Sequence, residues 1–303
     1  MVTKGKLMDS TMKERVFDII NYIFLLIVMI VTLYPFLNVL AISLNESTDT
    51  VRGGIYAWPR EFTLNNYLEI MKYDHLVTGF FNSVLRTVIG TILGVFAQAM
   101  VAFTLSRADF QGRKFVSTFL VLTMYFSGGL IPGYMLIRDL GLMNSFWVYI
   151  LPGLVSAFNI IIIRSFMDGI PFSLQESAKM DGANDFTIFY RIILPLCKPV
   201  LATIALFVAV GQWNSWFDTY LYNSMNENLT TLQYELMKIL DNTSMGGNVD
   251  ANQMRPNEQQ QNQVSPESIK MAITMVTVIP IMLVYPFVQR YFIQGMTLGA
   301  VKQ

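Results

Sequence analysis

Two groups of residues in this chain could act on another molecule. The first is a polar run, Glu176, Ser177, Ala178, Lys179, Met180, Asp181, Gly182 and Ala183, continued by Phe189, Ile192, Leu194, Pro195 and Pro199, set between two apolar segments. An acid, a turn glycine, aromatics and prolines in that order can present a charged helical corner to a partner surface. The second group lies inside apolar stretches: Arg86, Gln98, Asn159, Gln212, Asn214 and Asp218, the last three interleaved with Trp213 and Trp216. Such side chains are costly in hydrocarbon and tend to face a bundle interior or a cavity. Aromatic faces beside amides and a carboxylate suit a sugar, by stacking and by hydrogen bonds to hydroxyls. The same residues equally suit a tryptophan belt at a membrane–water interface, and the sequence leaves the two readings level. Gln98 and Asn159 also read as hydrogen-bond partners between helices, and Arg86 as a side chain reaching for the interface.

Other chemistry is hard to build from this chain. His75 is its one histidine and Cys197 its one cysteine. That removes an intrachain disulfide, a cysteine metal cluster and any multi-histidine site, so no metal is expected. No phosphate-binding G-x-x-x-x-G-K-[ST] loop occurs. If ATP drives this protein, another chain must bind it with its magnesium; no cofactor is expected here, and no nucleic-acid partner.

The elements that position these residues are membrane helices. Hydrophobic residues make up 53% and charged residues 14%, with a mean hydropathy of +0.44, against roughly a quarter charged in soluble domains. A span needs about 20 apolar residues, and six segments qualify: Ile19–Leu44, Phe80–Leu105, Phe115–Ile137, Ser145–Ile163, Val200–Tyr222 and Ile269–Phe292. The expected architecture is all-α and polytopic, a single domain over residues 1–303. It comprises a tail at 1–18, a cytoplasmic loop at 169–199 and a long outer loop at 223–267. The first apolar run lacks a small-residue cleavage site and reads as a span rather than a removed signal. With the N-terminus inside, thirteen of the 21 Lys and Arg residues fall on the cytoplasmic side and seven outside, which places both termini in the cytoplasm.

The polar run can be built residue by residue. Pro171 suits a first helical turn, and a helix from it puts Leu174, Ala178 and Asp181 on one side, with Glu176 and Lys179 on another. Gly182 supplies the left-handed conformation that ends a helix. Asn184 caps a second short helix with an apolar stripe of Phe186, Phe189, Tyr190 and Ile193. Pro195 and Pro199 restart the chain toward the membrane. In a continuous fifth span, positions two apart point about 200° from each other. Asn214 and Asp218 would then share one face, expected toward the transport route, and Gln212 with Trp216 the opposite one. Gly90 and Gly94 read as a helix-packing motif.

The run from Glu176 to Pro199 resembles the EAA loop of ABC-importer permeases, whose pattern is E-A-A-x-x-D-G-A, then F, then I-x-L-P and a second P; Ser177 stands for the second alanine. Phe81–Val84, Ala102–Arg107, Gly141–Ser145, Gln212–Asn214 and the ending Gln289–Lys302 are similar to MalG-type sugar permeases, and Leu33–Asn38 and Tyr125–Pro132 to the LplC-type branch. The resemblance covers nearly the whole chain. It implies a type I importer permease in a bacterial plasma membrane, importing oligosaccharides with a second permease subunit, two ATP-binding subunits and an extracytoplasmic solute-binding protein. It also implies that the first short helix, with Glu176 and Gly182, docks on the ATPase, and that the long outer loop meets the binding protein. The competing class, a self-contained secondary transporter, would want inverted repeats and an ion site at midspan; no clear repeat or acid pair stands there. An intramembrane enzyme would need a constellation that one histidine and one cysteine do not supply.

Overall fold

The computed structural model describes residues 12–72, 74–244 and 265–300. Among them are helices, turns and one isolated bridge, between Asn45 and Phe62. The α-helices in chain order are α1 Met12–Ser43, α2 Ser47–Val51, α3 Asn65–Met71, α4 Asp74–Ser106, α5 Arg113–Tyr125, α6 Leu130–Asp139, α7 Ala157–Met167, α8 Ser173–Met180, α9 Asp185–Ile188, α10 Leu194–Leu196, α11 Lys198–Asn214, α12 Phe217–Tyr222, α13 Leu232–Ser244 and α14 Pro266–Ala300. The expected cytoplasmic tail, the middle of the expected outer loop at 245–264 and the ending Gln289–Lys302 fall wholly or partly outside the described residues.

The apolar segments are helical, but they are not six uninterrupted spans. Three helices are long and apolar enough to cross a bilayer, over Arg15–Ser43, Asp74–Ser106 and Glu267–Val284, and up to five if each bent pair counts as one span. The expected span Phe115–Ile137 breaks after Tyr125. Phe126 is extended and Gly129 takes φ 90° and ψ 176°, a conformation open to glycine and little else, and α6 leaves at 119° to α5. Ser145–Ile163 holds a 3₁₀ turn, Phe146–Tyr149, and then the 11-residue α7. Val200–Tyr222 breaks at Ser215, whose ψ of 126° ends α11 before α12 begins.

The described residues divide into two compact units. One takes the chain up to Ile70 and again from Ser265 to Met275; the other takes Met71 to Ser244 and again from Val276. In the first, α1 exposes its apolar length, and the turn after it is held by buried polar groups. Asn45 donates to Asp49 Oδ2 at 2.9 Å and accepts from the amides of Arg60 and Glu61, while Asn66 donates to the carbonyls of Ser43 and Asn45. The Asn45 bond, with Arg60 beside it, holds the Asp49 carboxyl below its ordinary range.

In the second unit α4 is the axis. Ala99, Ala102 and Phe103 of α4 are buried with Ile160, Ile163 and Met167 of α7, and with Ile188, Phe189, Ile193, Val200 and Ile204 from the chain between α9 and α11. Gly90 lets α11 close in: a Cβ there would stand 3.0 Å from the Gln212 side chain. The start of the expected outer loop is folded and includes α13. Asn82 donates to the carbonyls of Asn228 and Thr230, both at 2.8 Å, and Ser83 Oγ accepts from Leu232 N at 2.9 Å, which fastens α13 to the first turns of α4.

Candidate functional site

The polar run forms two short helices joined at a tight turn. Asp181 closes α8, and Gly182 follows with φ +81°. The Gly182 amide donates to Lys179 O at 3.0 Å and the Ala183 amide to Ala178 O at 2.9 Å, the paired closure of a Schellman motif. A Cβ on Gly182 would meet nothing within 4 Å, so glycine is needed there for its backbone angle and not for space. Asn184 Oδ1 then accepts from Thr187 N at 2.8 Å and caps α9.

Which face turns inward differs from the expected pattern. On α8 the buried residues are Gln175 and Ala178, while Leu174, Glu176, Ser177 and Asp181 are exposed. The helix starts at Ser173 rather than at Pro171; Ala178 stays inward as expected, with Gln175 beside it in place of Leu174. Downstream, Ile188, Phe189 and Ile193 are buried, whereas Phe186 and Tyr190 stack together on the exposed side. The chain widens to a π-helical turn over Phe189–Ile193, so a stripe drawn at 3.6 residues per turn cannot continue through it. Pro195 is exposed in α10, and the direction changes by 84° between Asp185–Leu196 and Lys198–Asn214.

Two contacts tie this corner to α4. The Phe189 ring lies 5.3 Å from Phe103 and 5.9 Å from Phe96. Arg107, just past α4, donates to both carboxylate oxygens of Asp109, at 2.8 and 2.5 Å, and to Asp185 Oδ1 at 2.8 Å. Lys179 stands 3.7 Å from each of those acids. The Arg107 hydrogen bond holds the Asp109 carboxyl down at about 2. Arg107 closes a motif visible in the sequence, but its partners 2 and 78 residues away were not.

Five of the six polar residues of the apolar stretches, all but Asn214, line a cavity of about 320 Å³. Its wall includes Arg86 and Gln98 of α4, Tyr149 and Ser156 from the broken fourth segment, Asn159 of α7, and Gln212 and Asp218 on either side of the Ser215 break. Arg86, only 2% exposed, binds Asp218 through two bonds, at 3.1 and 2.5 Å. It also donates to Gln212 Oε1 at 3.1 Å and lies over the Tyr149 ring, 4.4 Å from its centre. Ser215 Oγ and the Thr219 amide donate to the same Asp218 carboxylate, and Gln212 Nε2 donates to Tyr149 O. Arg86 does not reach for the interface; it is the hub of a buried pair.

The expected faces of the fifth segment are therefore corrected. Because the helix stops at Ser215, angles counted through it do not hold. Gln212 joins Asp218 at the cavity, while Asn214 is exposed and outside the wall. Trp213 is buried in packing: its Nε1 donates to Thr277 O at 2.9 Å and its ring meets Phe80 edge-on. Trp216 gathers with Phe217 and Tyr220 in an aromatic cluster on α12, away from the wall. Tyr149 and Ser156 were missed, since a tyrosine and a serine at a helix end carry no sequence signal of their own.

Long apolar helices around a cavity that holds a buried ion pair, with a helical corner displayed beside them, are the frame of a membrane permease. The model of the family described as binding-protein-dependent transport system inner membrane component matches residues 10–298, and the chain belongs to that family. It is 40% identical over 291 residues to the polygalacturonan/rhamnogalacturonan transport system permease protein YtcP of Bacillus subtilis, covering 96% of this chain and all of the relative. It is 36% identical to protein LplC of the same organism, over 97% of this chain and 98% of the relative. A solved bacterial ABC transporter involved in import of the acidic polysaccharide alginate superposes with a TM-score of 0.82 at 29% identity, over 93% of this chain and 99% of that one.

Proposed function

We propose that this chain is one of two permease subunits of an ATP-driven importer for oligosaccharides and forms half of the translocation route. Six crossings, some through broken helices, leave both termini in the cytoplasm. Two separate ATPase subunits bind ATP and magnesium, and an extracytoplasmic solute-binding protein delivers the sugar. The polysaccharides for which YtcP and the alginate importer are named support the substrate class.

The observation that carries the coupling role is the corner at Gly182. It displays Glu176, Ser177 and Asp181 to solvent while Ala178, Ala183 and Phe189 seat it on the α4 core. A closing ATPase that grips α8 moves the corner as a rigid lever and biases the permease between inward-open and outward-open arrangements. Gly182→Val forces a β-branched residue into a left-handed backbone, a strain of about 1–3 kcal/mol. Glu176→Ala removes the displayed charge. We expect both variants to insert and assemble, yet to lose sugar uptake and the ATP hydrolysis stimulated by the loaded binding protein. Uptake by Gly182→Val at the parental rate, with the ATPase still bound, would remove the coupling role.

A further inference from the structure

The loop after α2 leaves two large aromatic rings in the open: Tyr56 is 69% exposed and Trp58 83%. The loop that carries them is nonetheless tied down. Glu46 N donates to Glu61 O at 2.9 Å and Thr63 N to Leu44 O at 2.8 Å, which fastens its far end to the end of α1. Arg60 Nη2 donates to Gly53 O at 2.7 Å and closes the loop on itself. Asn38, inside α1, donates from Nδ2 to Ile55 O at 2.8 Å and to Tyr56 O at 2.7 Å. These last two bonds fix how deep the loop lies. Beyond Asp18, α1 is exposed on every side from Ile19 to Leu37 and apolar there except for Asn21 and Thr32; burial begins at Asn38. Those 19 residues rise about 28 Å, nearly the ~30 Å of a bilayer's hydrocarbon core.

We infer that the loop from Arg52 to Phe62 is an interfacial anchor, with Tyr56 and Trp58 seated in the phospholipid headgroup layer and holding the end of α1 at that depth. A run bounded by a charge at one end and by the onset of burial at the other matches the hydrocarbon core, so Asn38 stands at the core's edge. Tilting the helix shortens its vertical rise and only draws Asn38 deeper. The carbonyls bonded to Asn38 stand at the same level, and Trp58, two residues on, lies within about 7 Å of it. The headgroup layer is itself about 5–8 Å thick on each side. Tyr and Trp suit that layer, because each ring has an apolar body for the acyl chains and a polar tip for ester and phosphate oxygens. A side-chain amide on both carbonyls also supplies what water would supply to a loop standing clear of the membrane. A soluble protein approaching the bilayer meets the headgroups first, whereas a ring at the edge of the core meets lipid.

The inference rests on α1 crossing the bilayer, and on neither the sugar nor the side at which the loop emerges. Its test uses the complete importer in phosphatidylcholine nanodiscs, where both faces meet solvent. Ala57→Cys, between the two rings, carries an NBD fluorophore in a Cys197→Ser background, the other subunits being free of reactive cysteine. A nitroxide near the lipid headgroup should remove about half of the emission, one near the end of the acyl chain under about a tenth, and soluble iodide under about a fifth. Tyr56→Ser with Trp58→Ser, in the same labelled chain, should raise the loss to iodide about twofold or more, because no ring then holds the loop in the layer. Strong quenching by iodide with weak quenching by both nitroxides overturns the anchor and places the loop in water. Stronger quenching by the deep nitroxide than by the shallow one overturns it as well, since the loop would then lie in hydrocarbon. Protection from iodide that appears only on adding the loaded binding protein also overturns it, and makes the loop a docking surface for that protein. Protection from iodide and from both nitroxides does the same in favour of a cover by the second permease subunit. An unchanged iodide response in the double serine variant counts against it too, because the rings would not be what holds the loop.

Discussion

Arg86 shows how one residue can set a local structure. A guanidinium this buried requires a partner, and Asp218 answers it from 132 residues away. The pair closes the Ser215 break, since Ser215 O and Ser215 Oγ both bond into it. Removing one member leaves the other charged and uncompensated, at a cost of about 3–5 kcal/mol for a fully buried pair; Asp218 is 20% exposed, which favours the low end. Arg86→Met and Asp218→Leu should each lower the melting temperature of the detergent-solubilised complex. The double variant should lose clearly less than the two single losses combined. Additive losses would show that the two residues are not coupled.

At the scale of elements, α4 links the two sites. It carries Arg86 and Gln98 at the cavity and Phe103 at the corner, with Arg107 immediately after it. From Arg86 to Phe103 a helix rises about 25 Å, so one continuous helix joins the corner to the cavity. Arg107 fastens α9 to that helix through Asp185, and on the proposed coupling role Arg107→Ala should cut uptake more than it cuts stimulated ATP hydrolysis, because the corner would move without carrying α4. The fastening has a defined pH range. The Asp109 carboxyl is held at about 2, below its ordinary ~3.9, so the carboxylate's contribution is present above about pH 4 and is lost as pH falls toward 2. The thermal stability of the parental complex should therefore fall more steeply than that of Asp109→Asn between about pH 4 and 2, and the two should run parallel between about pH 5 and 8. Parallel curves over the acid range would mean that Asp109 is not held down by Arg107.

For the whole molecule the open test is orientation. Basic residues gather on the segments assigned to the cytoplasm, as retention of positive flanks demands. A single cysteine at Gly5 or at Gln303, in a Cys197→Ser background, should resist an impermeant thiol reagent in intact cells, and one at Asn248 should react. Labelling of both termini from outside would invert the map and put the Gly182 corner out of an ATPase's reach. The exposed apolar length of α1 is consistent with lipid or a second permease subunit around it.

The sequence by itself determined the class of this protein and the shape of its corner. Membrane helices follow from hydrophobic run length, because backbone groups in lipid must bond within their own segment. The turn at Gly182 and the Asn184 cap follow from local rules, since a positive φ and an N-cap bond depend only on neighbours in the chain. What tertiary structure decided is everything that depends on a distant partner or on a break in periodicity. Gln175 rather than Leu174 turns inward beside Ala178, a choice of face made by packing on the core and not by the helical period. Gln212, not Asn214, meets the cavity because the helix ends at Ser215, and Trp213 is taken by Thr277. The sequence offered Arg86, Gln98, Asn159 and Asp218 as isolated polar residues. Only the packing of α7, α11 and α12 against α4 brings them to one cavity wall, where their charges cancel and one amide oxygen is left without a donor.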